Sequence, residues 1–404
     1  MSVRGSGRLH WSDPATVERV AALVADSLPP ALAPIFDPPF ARSHLTFDDY
    51  VHRLVLAVVR AAGLDAVLGD WCDAVGVVAR AGLEPRRSLV PVEWLLRHLA
   101  ERGVLAREDG PAGSRVRLAG ALPELDPAVV LAEQRTHDAR CLPSFAVAET
   151  AARDYPAFLR GERTGEDVLF APARLSLWTG YFSNDNPLYA VNNRVGAVAL
   201  ETWLGPGPAR VVELGGGLGS GTAAALERLV AAGRIGEVQS YRFTELVPAF
   251  LRRAERVKER LGSPAFLTLA PLDMNRPFGE QGVAPASASI VYAVNVLHVA
   301  HDLAFTLGEV WRALEPGGRL IVSEGVRPTA GQTMYPEFIF NLLETFRAPR
   351  LHPVYRPNGG FLTVEQWRAA FETAGFKDVR AMPDIARIRT MFPTFYAAAL
   401  AATR

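Results

Sequence analysis

The chain has 404 residues, of which 49% are hydrophobic and 21% charged, enough for two domains with sizeable cores. Lys and Arg number 43 and Asp and Glu 43, so no net field draws the molecule to nucleic acid or to an anionic membrane, and neither is expected as a partner. The start "MSVRGSGRLHWSDP" lacks the apolar run of a signal peptide, and no apolar stretch approaches the roughly 20 residues of a membrane span, so a soluble, cytoplasmic protein is expected.

Up to about residue 165 the apolar residues recur mostly at helical spacing. Asp13 and Pro14 read as an N-cap and first-turn proline ahead of "ATVERVAALVADSL", and "FDDYVHRLVLAVVRAAGL" has a similar period. Cys72 and Cys141 are too few for a disulfide framework and have no ligand partners at metal-binding spacing, so they read as buried small residues and no metal is expected. "PVEWLLRHLAERGVLARE" puts Val92, Leu95, Leu96 and Leu99 on one face, and "SRVRLAG" follows as a strand after a glycine-containing turn. Helix, turn and short strand suggest a winged-helix module. Its recognition helix carries Arg97, His98 and Arg102 but also Glu93 and Glu101, whereas a helix that tracks phosphates is more one-sidedly basic. A packing or dimerisation role is therefore expected ahead of DNA binding, and the protein is expected to be a homodimer. The segment "WLLRHLAERGVL" resembles the N-terminal winged-helix domain of dimeric small-molecule O-methyltransferases.

From about residue 205 the pattern becomes strand, turn, helix, repeated. "ARVVELG", "VQSYRFTEL", "FLTLA", "ASIVYAVNVL" and "RLIVSEG" read as strands, and "SGTAAALERLVAAG", "PAFLRRAERVKERLG" and "AFTLGEVWRALEPGG" as helices. Such alternation gives parallel strands with covering helices, an α/β doubly wound Rossmann-like sheet that binds ligands at the carboxyl ends of its strands. The expected division is 1–165 for the mainly helical winged-helix-like domain and 166–404 for the sheet domain.

The first strand runs into "VVELGGGLGSG". Gly215, Gly217 and Gly219 let backbone come close to a ligand without Cβ interference. A dinucleotide fingerprint G-x-G-x-x-G fails in this frame, because Ser220 occupies the last position. A frame of Gly219, Gly221 and Ala224 begins inside the helix cap. Glu213 would set a carboxylate beside a pyrophosphate, whereas it suits a cationic ligand. S-adenosylmethionine carries an ammonium and a sulfonium.

"ELGGGLGSG" resembles the first motif of class I S-adenosylmethionine-dependent methyltransferases, and the likeness implies that Glu213 and the glycines surround the methionine part of that cofactor. Glu245 ends the second strand in "YRFTEL", where a carboxylate can accept both ribose hydroxyls. Asp273 and Met274 follow the third strand, where the family has an acid near the adenine amine and an apolar neighbour of the ring. Asn295 ends the fourth strand and is grouped with the cofactor residues.

His298 follows Asn295, and Glu324 ends the fifth strand. Neighbouring strand ends open into one crevice, where a carboxylate on one imidazole nitrogen fixes the tautomer and strengthens the other as a base. His301 begins the next helix and reads as a cap or surface residue. The patterns "FT" plus acid, "QG", "NVLH" and a strand-five "E" resemble the C-methyltransferase domains of polyketide synthases, over about residues 165 to 404. The resemblance implies that His298 and Glu324 are the dyad that takes a proton from an acyl α-carbon, and that "LWTGYFSNDNPLYAVNNRVGAVALE" is a lid helix over the substrate. The chain departs from that family in reading as free-standing and in its winged-helix pattern. O-methyltransferases also use a "VLH" histidine, so the acceptor atom stays open, carbon ahead of oxygen. Tyr181 and Phe182, and Tyr335, Phe338 and Phe340, are candidates to line an apolar pocket for a small-molecule or carrier-protein-bound substrate of secondary metabolism; ordinary core packing explains them equally well. A winged-helix regulator that senses the cofactor is the non-enzymatic alternative.

Overall fold

The computed structural model describes residues 14–404 except Ala112; Asp13, expected as an N-cap, lies outside the described residues. The helical half contains α1 (Pro14–Ala25), α2 (Pro38–Ala61), α3 (Ala74–Arg80) and α4 (Pro85–Glu101), then a two-stranded antiparallel wing of β1 (Leu105–Gly110) and β2 (Gly113–Leu118). It continues with α5 (Pro127–His137), α6 (Leu142–Leu159), α7 (Gly165–Leu169) and α8 (Leu175–Tyr181). α2 starts well before the "FDDY" segment because the Asp37 carboxylate accepts from the Phe40 N–H at 2.7 Å and prolines 38 and 39 preset the first turn. α7 and α8 pack on α6, so helical packing continues past residue 165.

The second half contains α9 (Pro187–Trp203), β3 (Ala209–Leu214), α10 (Ser220–Ala231), β4 (Val238–Glu245), α11 (Pro248–Arg260), β5 (Leu267–Pro271), β6 (Ala288–Val294) and α12 (Leu303–Ala313). β7 (Leu314–Gly325), α13 (Glu337–Phe340), α14 (Glu344–Arg347), α15 (Val364–Thr373), β8 (Lys377–Met382), α16 (Ile385–Met391) and β9 (Ala397–Thr403) complete it. The seven strands are ordered β5-β4-β3-β6-β7-β9-β8, with β3 to β7 parallel and β9 antiparallel to both neighbours. The order reverses beside β3, so its carboxyl end and that of β6 flank the switch point where such sheets bind ligands.

Two segments differ from the sequence expectation. "LEPGG" was read as helix, but α12 stops at Ala313 and Leu314 already pairs with Ala288, because Pro316 biases the preceding residue to extended backbone and cannot continue a helix. β9, "AAALAAT", has no β-branched run, yet its first six residues are buried in the sheet. Tertiary burial overrides its local preference, and its small side chains admit α9, which packs on β7 and β9. The approach is close enough that a Cβ on Gly196 would stand 2.6 Å from the Tyr292 hydroxyl.

The expected lid is therefore divided. Tyr181 at the end of α8 and Phe182 after it border a cavity together with Leu188, Tyr189, Asn192 and Asn193 of α9, while the rest of α9 is mostly buried against the sheet. Helices of the first half pack on the second within the chain, α1 against α16, α2 against α9, and α4 against α13. No helix among the described residues is long and apolar enough to cross a membrane.

Candidate active site

At the carboxyl ends of β3, β4 and β6 lies a cavity of about 280 Å³, bordered by the glycine loop, α8, the start of α9 and the segment around α13 and α14. Glu213, Gly215, Gly217, Glu245, Asn295, His298, Tyr181 and Phe182 all border it. The loop needs glycine for two reasons. A Cβ on Gly216 would stand 2.1 Å from the Phe243 ring, and Gly217 has a φ of +59° with no atom of the described residues within 4 Å of its Cβ position. The first is crowded by protein; the second leaves room for a ligand to approach backbone. Gly219, φ +85°, starts α10 in a left-handed conformation against Val257, outside the cavity lining.

Glu213 is 1% exposed. Its Oε2 accepts from the Thr222 hydroxyl at 2.6 Å and the Tyr241 hydroxyl at 2.9 Å. Burial pushes its carboxyl up to about 7, the two hydroxyls opposing and the nearby Glu245 adding to the rise. Such a carboxylate favours a cation as its neighbour. Glu245 accepts from the Gly217 N–H at 2.9 Å through Oε2 and from the Val247 N–H at 2.8 Å through Oε1, which leaves each oxygen a further lone pair for a ligand hydroxyl. Its carboxyl is likewise raised by burial, against the pull of these N–H groups.

Asn295 has φ +51°, and its Oδ1 accepts from the Gly325 N–H at 3.2 Å. Asn192 and Asn193 also border the cavity, and their buried Oδ1 atoms have no partner among the described residues. Asp273 and Met274 do follow β5 but lie outside the lining. The Asp273 Oδ1 is engaged in its own turn, accepting from the Asn275 backbone N–H at 2.9 Å and side-chain amide at 3.2 Å, and the Met274 carbonyl accepts from Thr306.

On the opposite wall His298 sits in a short 3₁₀ turn, Leu297–Val299, after β6. Its Nδ1 is 2.6 Å from Glu324 Oε2 at the end of β7. Glu324 is fully buried, and its Oε1 accepts from the Leu297 N–H at 2.8 Å and the Val296 N–H at 3.1 Å. The imidazole lies against Phe361 and Phe346, ring centroids 4.7 and 5.7 Å away. With the carboxylate on Nδ1, the proton is assigned to that nitrogen and Nε2 carries the free lone pair. His301 is exposed, as expected for a surface residue.

Two substrate candidates move. Tyr335 is buried with its hydroxyl 3.1 Å from His44 Nδ1, and Phe338 stacks on Tyr155 with centroids 5.0 Å apart; both join α13 to the helical half rather than lining the cavity. Pro336 and Phe340, four residues apart on the other face of this turn, line it instead. Phe170, Tyr189, Phe250, Phe346, Phe361 and Tyr396 complete the aromatic wall and are absent from the sequence expectation. The asparagines in "NDNPLYAVNN", polar positions in an otherwise apolar helix, were the available signal for the α9 part; Tyr396 had none. α4 docks on the second half: the Trp94 indole N–H donates to Glu337 at 2.8 Å and Arg97 to the Gly331 carbonyl at 3.0 Å. That occupies much of the face a DNA groove would need.

Residues 212–320 match the family described as "Methyltransferase domain". Polyketide synthase PksM of Bacillus subtilis (strain 168) is 28% identical over 240 residues, 58% of this chain but 5% of the synthase. The chain thus spans only a small part of the curated relatives it matches. The CurJ carbon methyltransferase superposes with a TM-score of 0.75 at 21% identity, over 97% of this chain and 99% of that one. The trans-methyltransferase CalH, solved with SAH, gives 0.57 at 20% identity over 89% and 91%. The loop geometry, with Glu213 suited to a cation and Glu245 open to hydroxyls, fits S-adenosylmethionine, and with the domain match it makes residues 212–320 an S-adenosylmethionine-dependent methyltransferase domain, in a chain with the fold of polyketide synthase carbon methyltransferases.

Proposed function

We propose that the protein methylates the α-carbon of an acyl thioester, an intermediate of polyketide-type assembly held on a carrier protein, with His298 as general base. The observation that carries this reading is the 2.6 Å contact between His298 and the buried Glu324 in the cavity that also contains the glycine loop. S-adenosylmethionine, when bound, supplies a methyl group on a positively charged sulfur. Glu213, the Gly215–Gly217 backbone, Glu245 and Asn295 would hold it.

His298 Nε2 takes the α-proton while Nδ1–H stays on Glu324, whose negative charge stabilises the imidazolium. The aromatic wall of Tyr181, Phe182, Phe340, Phe346 and Phe361 excludes water and holds the acyl chain so that its carbon lies in line with the methyl group. The relatives' names, polyketide synthases, and the carbon methyltransferases of the same fold support carbon as acceptor. Oxygen is the second reading, favoured by the winged-helix module, since a hydroxyl needs the same base.

The test offers the full chain S-adenosylmethionine and acetoacetyl-N-acetylcysteamine, an activated thioester probe. A new carbon–carbon bond by NMR, with deuterium entering the α-carbon in deuterated water, is expected. An O-methyl resonance instead overturns the carbon assignment.

A further inference from the structure

Behind the dyad is a buried cation that the proposed mechanism does not use. Arg356, between α14 and α15, is 0% exposed. Its Nη2 donates to the His298 carbonyl at 2.5 Å and its Nη1 to the Ala300 carbonyl at 2.6 Å, so it grips the turn that bears the imidazole at its middle and just past its C-terminal end. Its Nε is buried without a partner among the described residues. The residue is itself pinned, its backbone N–H and carbonyl bonding His352 at 3.0 and 2.9 Å.

A buried guanidinium bonded to carbonyls rather than to a carboxylate is costly, and something nearby must offset it. Burial draws it down to about 10, and the charges that oppose this are Glu324 first, then Asp302 and the Tyr355 phenol. Asp302 is already paired with Arg350 at 2.7 Å. The groups facing His298 are Glu324 from β7, Arg356 from the segment behind it, and the uncharged Phe346 and Phe361. Glu213, Glu245 and the phenols of Tyr181, Tyr189 and Tyr396 border the same cavity.

We propose that Arg356 is a positioning residue of the dyad: it clamps the His298 turn through two carbonyls and sets a buried positive charge behind the imidazole. The proposal rests on His298 being the base. The sign follows from charge alone. Removing a positive charge from beside an imidazole favours its protonated form, and a protonated imidazole is no base.

The experiment titrates His298 by NMR in full-length protein labelled with ¹⁵N-histidine, the resonance assigned by its loss in His298→Ala, and compares Arg356→Lys, Arg356→Gln and Arg356→Met with wild type. Loss of the charge in the Gln and Met variants should raise the His298 midpoint by about two pH units, the order a unit charge about 6 Å off gives at an effective dielectric of roughly 20. Lys should keep it near the wild-type value. With the thioester probe, kcat in Gln and Met should fall on the acid side of the midpoint by up to about tenfold per pH unit of that shift and recover as pH rises, while S-adenosylmethionine affinity by calorimetry stays unchanged. A midpoint in Gln equal to that in Lys overturns the proposal, and this comparison stands even where Met fails to fold. If wild type leaves the probe unmethylated, it is the reading of the base that fails; the titration still decides what Arg356 does to the imidazole.

Discussion

Glu213 on β3 and Glu324 on β7 stand one strand to either side of β6, both buried at a strand end, and the chain treats them in opposite ways. Glu324 has its compensation built in: two backbone N–H groups, the His298 imidazole, and Arg356 behind it. Glu213 has two hydroxyls and another carboxylate for a neighbour, and its carboxyl is pushed up to about 7. A buried charge is tolerable only with a partner. One side of the cavity is preorganised, its carboxylate paired within the chain; the other is short of positive charge, which suits a cationic ligand.

Breaking the preorganised side should give the largest effect. His298→Ala is expected to lower turnover about 10²- to 10⁴-fold, the usual contribution of a general base, with cofactor affinity by calorimetry nearly unchanged. Glu324→Gln keeps the shape but surrenders the charge, and steady-state kinetics should show a smaller loss. Unimpaired turnover in His298→Ala removes the dyad from the mechanism.

On the other side the effects should appear in binding. Glu245→Ala removes the acceptor of the Gly217 and Val247 N–H groups together with the hydroxyl acceptor. Cofactor affinity should fall about tenfold or more, in line with roughly 1–3 kcal/mol for stranding buried donors. Gly217→Val should lose more, since it forces a β-branched residue to a φ of +59° and fills the open approach.

The comparison sharpens with pH. A bound cation stabilises ionised Glu213, so binding releases its proton wherever the free protein holds one, that is below about pH 7. Affinity should therefore rise with pH up to about 7 and then level, by at most about tenfold per pH unit. Calorimetry in two buffers of different ionisation enthalpy would detect the proton, and Glu213→Gln should flatten the profile. The smallest effect is on the free protein. Because burial raises the folded-state value above the ordinary 4.5, Glu213's contribution to stability is fully present below 4.5 and is lost as pH rises through about 7. Melting at pH 6 should exceed melting at pH 8 by more in wild type than in Glu213→Gln.

Much of the site lies in short-range patterns. The strand-turn-helix alternation foretells the parallel part of the sheet, the glycines after β3 mark the ligand end, and both dyad members sit at strand ends that a doubly wound sheet brings together. Those features are legible because each depends on a residue type at one place along the chain. The rest depends on what distant segments do to one another. Tyr335 and Phe338 look like pocket residues, but the one-turn face of α13 that meets α2 and α6 is theirs, and Pro336 and Phe340 face the cavity. β9 is a strand because a sheet edge and α9 bury its alanines, against their own preference. Arg356 gives no sign of its place in "VYRPNGG", since only the folded chain puts its guanidinium on the His298 carbonyl, 58 residues away in sequence. Sequence by itself determined the sheet domain, the kind of ligand that suits the glycine loop and the strand ends that bring His298 to Glu324; the tertiary structure decided which aromatic faces meet the cavity and which buried charge stands behind that pair, because those follow from side-chain direction and desolvation between elements far apart in the chain.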